Sequence, residues 1–146
     1  MSEAPEDGYD DFLAAENSLE DTTPRLMSEL TQKLLRSIDY KEIYRLRVRN
    51  FKHLHGRLEN INDFNLSEKE IGVPLCYPFM TKKEGLKNYL ISKRVFLPTY
   101  WKDSIQRLNK NWSEKMITCL LPLPVDQRYN EADMDYLASL IEAYQK

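Results

Sequence analysis

The sequence predicts an α/β (α+β) fold, in which a small antiparallel three-stranded sheet carries helices on one face. Segments with helical periodicity alternate with short apolar runs that prolines interrupt, and these runs are too short for helices. The order of predicted elements is α-α-β-α-β-α-β-α, without internal repeats. A chain of 146 residues with 42% hydrophobic content is also long enough to enclose one core.

The helices of the first half follow from apolar periodicity. Residues 1–24 are predicted to be an acidic, partly disordered segment that includes a short helix over residues 10–19. Residues 25–146 are predicted to be the folded domain. Apolar side chains recur at helical spacing over residues 25–38 and again over residues 40–61, which we expect to be the longest helix.

Three apolar runs predict the strands, at residues 73–80, 95–97 and 120–125. Pro122 and Pro124 exclude a helix from the last run, because proline favours extended backbone in the residue before it.

Polar residues predict where the later helices begin. Thr81 and Glu84 have the spacing of a capping box, which predicts a helix directly after the first strand. Another short helix is expected over residues 112–119. Asn130 is a suitable cap for a C-terminal helix over residues 130–146.

Charge and composition limit the classes of partner. A net charge of −2 disfavours bulk attraction to nucleic acids or anionic membranes. No apolar run reaches the roughly 20 residues that cross a bilayer, and the acidic N-terminus lacks the features of a signal peptide, so we expect a cytoplasmic protein. Cys76 and Cys119 are interpreted as free thiols, although their spacing alone leaves a disulfide open.

The densest basic run has two interpretations. It is either a phosphate-binding or nucleic-acid face, or the solvated side of an amphipathic helix; the second is favoured, because the cations spread widely around the helix. Its histidines point about 200° apart on a helix, so they do not form a metal-ligand pair. The run consists of Arg45, Arg47, Arg49, Lys52, His53, His55 and Arg57.

The chain lacks sequence motifs of an independent enzyme. It contains no G-x-S-x-G nucleophile motif and no Cys-x-x-Cys motif, and its four glycines are too scattered to form a phosphate loop. We therefore predict no catalytic, cofactor-binding or metal-binding residue in this chain.

Four segments resemble the C-terminal small domain of the DegT/DnrJ/StrS family, which are pyridoxal-phosphate-dependent sugar aminotransferases of fold type I. In chain order they read SIDYKEIYRLRVRNFKHLHGRL (37–58), VPLCYPF (73–79), KRVFLPTYW (93–101) and LPLPVDQRYNEADM (121–134). The resemblance extends from about Tyr9 to the last residue. It implies an amino transfer to a keto-sugar or similar carbonyl substrate in the complete enzyme.

The resemblance also implies that this chain is only part of a catalyst. In the family, the Schiff-base lysine and the rest of the pyridoxal phosphate site lie in the large domain, and no lysine here has the matching motif. The expected partner is that missing large domain, or a second copy of this chain. The alternative hypothesis is a non-catalytic module, derived from the same domain, that self-associates or binds a partner.

The substrate-facing positions implied by the resemblance are Tyr100, Trp101 and Arg128. Aromatic rings suit a sugar or sugar-nucleotide, and arginine suits a carboxylate or phosphate. Two structural alternatives remain. The aromatic rings would pack between helix and sheet, and the arginine would pair with one of the carboxylates of Asp126, Glu131 or Asp133.

Overall fold

The structure is a computed structural model that describes residues 9–18, 23–24, 26–66, 72–101, 104 and 112–146. It contains two compact units, residues 1–38 and 39–146. The boundary between the two units, at residues 38 and 39, lies 14 residues after the boundary predicted from the sequence, at residues 24 and 25. Residues 1–8 of the segment that was predicted to be partly disordered lie outside the described residues.

The first unit contains two short helices, α1 (Tyr9–Asn17) and α2 (Glu29–Arg36). The Ser28 side chain caps α2 by accepting a hydrogen bond of 3.1 Å from the amide of Thr31. No residue of α2 is buried, and Leu30 is 68% exposed. Helix α2 occurs where periodicity predicted a helix and α1 where a short helix was expected, with ends that differ by a few residues.

The second unit has mixed α/β architecture. Its longest helix, α3, continues into a short 3-10 turn where residues 40–61 were predicted to be helical, and the C-terminal helix also occurs as predicted. In chain order the elements are α3 (Tyr40–Leu58), the 3-10 turn Glu59–Ile61, β1 (Cys76–Met80), α4 (Leu86–Ser92), α5 (Trp112–Cys119), β2 (Leu120–Pro124) and α6 (Glu131–Gln145).

The two strands pair antiparallel, with Tyr77 opposite Leu123 and Phe79 opposite Leu121. These four side chains share one face of the sheet, because alternate residues of a strand point the same way, and all four are buried. They join a single core with apolar residues of the helices. The helical members are Phe51, Leu54 and Leu58 of α3, Leu86 and Leu90 of α4, and Met134, Leu137, Ala138 and Ile141 of α6.

The predicted third strand is not present. Residues 95–97 have irregular backbone, so the sheet within the described residues has two strands rather than three. The amide of Val95 donates to the carbonyl of Leu90 (2.9 Å), and Arg94 adopts a left-handed conformation with φ 60°. The amide of Val95 therefore closes the end of α4 and is not available for pairing with a neighbouring strand. Pro98 has no amide hydrogen, so it limits a strand beyond residue 97.

The predicted capping box at Thr81 and Glu84 is also wrong, because α4 begins later, after Gly85. Gly85 has φ 85°, and a Cβ atom there would lie 2.8 Å from the hydroxyl of Tyr144. That hydroxyl donates to the carbonyl of Glu84 (2.6 Å). Glycine is required at this position by both the left-handed backbone and the close approach of α6.

The two cysteines are free thiols, as expected. The strand register places Cys76 opposite Pro124, at the far end of the sheet from the pair Met80 and Leu120 that adjoins Cys119. Four strand residues correspond to about 13 Å, well beyond the Cα separation of about 7 Å that a disulfide tolerates. The disulfide that spacing left open therefore does not form.

Candidate functional site

Asn50, a fully buried side chain of α3, is hydrogen-bonded to the backbone of the turn after β2. Its Nδ2 atom donates to the carbonyl oxygens of Asp126 and Tyr129, both at 3.0 Å, and lies 3.4 Å from that of Val125. The turn satisfies the Asp126 carbonyl in part by itself, through the amide of Tyr129 (3.2 Å), and the side-chain amide of Asn50 supplies further donors.

Two arginines of α3 also donate hydrogen bonds to this turn. Arg49 donates to Asn50 Oδ1 (2.9 Å) and to the carbonyl of Tyr129 (3.2 Å). Arg47 donates to Gln127 Oε1 and to the carbonyl of Pro74, both at 3.1 Å. Arg47 therefore ties the turn to the segment that leads into β1.

The role of Asn50 was missed at the level of sequence, although a signal was present. Asn50, Leu54 and Leu58 follow one another at intervals of four residues, so this asparagine lies on the apolar face of α3. A polar residue at such a position requires a buried partner. The partner is a backbone turn more than 70 residues away, which no local pattern identifies.

Arg128 lies at the tip of this turn, with 76% of its side chain exposed. Its Nε and Nη2 atoms each donate to the Asp126 carboxylate at 2.9 Å, and its amide donates to Oδ1 at 3.0 Å. The hydrogen bond from the guanidinium lowers the pKa of Asp126, and the carboxylate raises the pKa of Arg128. Of the alternatives weighed for Arg128, the structure contains the ion pair with Asp126.

A groove of about 300 Å³ adjoins the turn, and we call it the turn groove. It brings the segment after α4 next to the turn and the first two helical turns of α6. Its walls combine aromatic, aliphatic and charged side chains: Arg94, Val95, Phe96, Pro124, Tyr129, Asp133, Met134, Tyr136 and Leu137.

The other two predicted site residues follow the wall segment of this groove in sequence. Tyr100 is half-buried, and Trp101 is 71% exposed with φ 54°. Their ring centroids lie 5.7 Å apart. Neither residue, nor Arg128, lines the turn groove, but Phe96 and Tyr129, which are close to them in sequence, do.

Two further arginines and one histidine of the basic run pair with carboxylates. Arg57 binds the carboxylates of Glu142 (2.7 Å) and Asp135 (2.9 Å) on α6, and Arg45 binds Glu42 (2.6 Å). His53 Nε2 lies 2.8 Å from Asp135 Oδ1. The hydrogen bonds from His53 and then Arg57 lower the pKa of Asp135.

His55 belongs to a separate buried polar contact. Its Nδ1 atom lies 3.3 Å from the hydroxyl of Tyr77, which also accepts a hydrogen bond of 3.2 Å from Asn62 Nδ2. Burial raises the pKa of Tyr77, and the hydrogen bond from Asn62 partly opposes this effect. Tyr77 is a fully buried core residue.

None of three grooves in the described part of the chain combines the groups that pyridoxal phosphate needs. That cofactor needs a lysine, an acid at the pyridine nitrogen and a phosphate cup in one pocket. The turn groove has aromatic rings and Asp133 but no lysine in its lining. A second groove has four lysines but no aromatic ring, and a third, beside His55 and Glu59, has no lysine.

Two further features of the described ranges concern metals and membranes. Within them, no group of three or more histidine, cysteine, aspartate or glutamate side chains is placed to hold a metal ion. None of the helices in that part of the chain combines the length and the apolarity needed to cross a bilayer.

No family model, curated protein or solved structure matches this chain.

Proposed function

We propose that this chain is the C-terminal small domain of a pyridoxal-phosphate-dependent aminotransferase of the DegT/DnrJ/StrS type. Completed by a large domain, it would take part in transferring an amino group to a keto-sugar or a similar carbonyl substrate. The chain alone does not catalyse this reaction, and we place the assembled enzyme in the cytoplasm.

The observation that carries this proposal is the meeting of the four family-like segments around one turn. Helix α3 supplies Asn50 and Arg49 to the turn at residues 125–129, and Arg47 links the turn to Pro74 before β1. The remaining segment places Phe96 in the turn groove with Tyr129. Segments that are distant in sequence and carry one resemblance are expected to be neighbours if that resemblance reflects a shared domain.

The exposed side chains near the turn support a role at the substrate side of a cleft. Arg128 uses its Nε and one Nη2 hydrogen for Asp126, and among the described residues its Nη1 donors have no hydrogen-bond partner, so they could bind a carboxylate or phosphate. Asp126 orients the guanidinium before a ligand arrives, which reduces the ordering cost of binding. Trp101 and Tyr100 provide aromatic surface for a sugar.

The cofactor belongs to the large domain in this proposal. Pyridoxal phosphate acts as an electron sink for amino transfer when it is bound there. The part assigned to the present chain is to orient the substrate through Arg128 and the two aromatic residues and to cover the cleft from water.

A test is to supply this chain in trans to a sugar aminotransferase of this family whose own small domain has been deleted. Amino transfer from glutamate is then measured with and without the chain, and the parent enzyme's own small domain serves as the positive control. We expect partial recovery of activity, and a further loss with Arg128→Ala but not with the exposed Lys52→Ala. Recovery with the parent's domain and none with this chain would count against the proposal.

Self-association is the second candidate function, and the exposed apolar side chains of the first unit favour it. Leu26 is 99% exposed, and Leu30 and Leu34 lie one helical turn apart on α2 with 68% and 58% exposure. Apolar side chains grouped in this way commonly mark an interaction surface. Sedimentation of the chain and of a Leu30→Ser/Leu34→Ser variant tests this function: a concentration-dependent dimer that the variant abolishes supports it, and a monomer at all concentrations contradicts it.

A further inference from the structure

A second groove, which we call the lysine groove, lies at the end of the sheet where Met80 pairs with Leu120. Cys76 is at the other end of β1. The lysine groove has a volume of about 510 Å³ and shares no lining residue with the turn groove. The turn after β1, the start of α4 and the end of α5 form its walls. The lining residues are Thr81, Lys82, Lys83, Glu84, Gly85, Leu86, Lys87, Lys115, Thr118, Cys119 and Leu121.

The charge of this lining contrasts with that of the whole chain. Four lysines and one glutamate give the lining a formal charge of +3, whereas the chain carries −2. Within the described ranges, none of the four lysines forms an ion pair, unlike Arg45, Arg49, Arg57 and Arg128. A concave site with uncompensated charge of one sign focuses its field on ions of the opposite sign.

The wall that carries two of these lysines is hydrogen-bonded to the end of α6. Tyr144 donates to the carbonyl of Glu84 (2.6 Å), and Gln145 Nε2 donates to Thr81 Oγ1 (2.8 Å). Lys83 donates in turn to the carbonyl of Tyr144 (2.5 Å) and lies 5.3 Å from the centre of its ring. This turn is therefore ordered before any ligand binds, so binding would cost less entropy.

The four ammonium groups differ in how they are engaged. Lys83 is fixed on Tyr144, and Lys87 donates to the hydroxyl of Thr99. Lys82 and Lys115 are exposed and make no hydrogen bond or ion pair within the described part of the chain. Two ammonium groups are thus held in place, and the other two, on the turn after β1 and on α5, have no such contact within the described part of the chain and could bind an anion.

We propose that the lysine groove binds a diphosphate-bearing small molecule. Several ammonium groups around one concave space match the several negative oxygens of linked phosphates, and lysine binds phosphate as a point charge. The volume exceeds the need of a single phosphate and lies in the range of small-ligand sites. This inference does not depend on the aminotransferase proposal, since it uses none of the same residues.

The lining also indicates which part of such a ligand is recognised. It contains no aromatic ring to stack on a base, so the phosphates rather than a nucleobase supply the recognition. We expect ADP to bind with about the same affinity as inorganic pyrophosphate. ADP binding that is much tighter would overturn the assignment of the diphosphate as the recognised group.

The experiment uses Cys119, which lines the groove, as a reporter and Cys76 as an internal reference. The full chain is alkylated with N-ethylmaleimide at low ionic strength with increasing pyrophosphate, and modification at each cysteine is followed by mass spectrometry. We expect pyrophosphate to slow alkylation of Cys119 but not of Cys76. The apparent affinity is expected to fall as salt is added, because ions screen exposed charge pairs.

Matched variants identify the lysines that carry the effect. Lys82→Ala/Lys115→Ala is expected to weaken pyrophosphate binding about tenfold, since each exposed ion pair contributes a few-fold. Lys52→Ala removes one exposed cation from α3 and is expected to leave binding unchanged. Circular dichroism verifies that the variants fold. Equal protection in the double variant and the native chain, a weakening by Lys52→Ala as large as that of the double variant, or no protection at low salt would each overturn the proposal.

Discussion

Replacing Asn50 with alanine tests whether one buried amide holds the turn after β2. The variant loses the Nδ2 donor, whose two hydrogens serve the carbonyls of Asp126 and Tyr129 at 3.0 Å each. Two hydrogen bonds contribute about 2 kcal/mol in total, and the vacated volume adds about 1 kcal/mol. Both carbonyls keep one partner, the amide of Tyr129 and the guanidinium of Arg49 respectively, which limits the cost.

We therefore expect Asn50→Ala to lower the free energy of unfolding by about 2 to 3 kcal/mol, measured by urea denaturation at neutral pH. The slope of the free energy with urea should stay unchanged, since the same surface is exposed on unfolding. Asn60→Ala is the matched control, because Asn60 is exposed in the 3-10 turn, and its effect should stay within about 0.5 kcal/mol. Equal midpoints for both variants would refute the role assigned to Asn50.

Three further predictions follow from the same structure. Gly85→Ala should lower the free energy of unfolding by about 1 to 3 kcal/mol, because the left-handed backbone and the nearby tyrosine hydroxyl exclude a Cβ atom. Gly56→Ala should raise the free energy of unfolding by about 0.5 to 1 kcal/mol, because a Cβ atom there meets open space in α3. The opposite order of melting temperatures would contradict both. Asp126→Asn should destabilise the chain at pH 7, because a carboxylate with a lowered pKa stabilises the fold while it is ionised. The difference from the native chain should begin to shrink as the pH falls below about 4 and continue to shrink through the lowered pKa of Asp126; urea denaturation at a series of acidic pH values measures this, and a difference that does not change with pH would argue against the ion pair. Reducing agent should leave the melting temperature unchanged, since Cys76 and Cys119 are free thiols, and a lower melting temperature would indicate a bridge.

Much of the fold was predictable from local patterns. The helical spacing of apolar residues predicted α3 and α6, and Asn130 caps α6 through a capping box with Asp133. The prolines at residues 122 and 124 identified β2, because proline restricts both its own backbone and that of the preceding residue. These features depend on neighbours a few residues apart, which a sequence displays directly.

The errors arose where tertiary contacts decided the local structure. The third strand and the capping box at Thr81 were both predicted from short patterns, but the end of α4 uses the amide of Val95, and α6 controls the turn at Gly85. The lysine groove was likewise not predicted, since its cations come from the turn after β1, from the start of α4 and from α5. Such sites form only when distant elements meet, so spacing within one segment does not identify them.

The central claim, that this chain completes an enzyme whose cofactor lies on another domain, is tested most directly by trapping pyridoxal phosphate with borohydride. The chain is treated alone and together with the large domain of a sugar aminotransferase of this family, and the labelled lysine is located by mass spectrometry. We predict stoichiometric labelling of one lysine of the large domain and none in this chain. A single, stoichiometric label on a lysine of this chain treated alone would contradict the account.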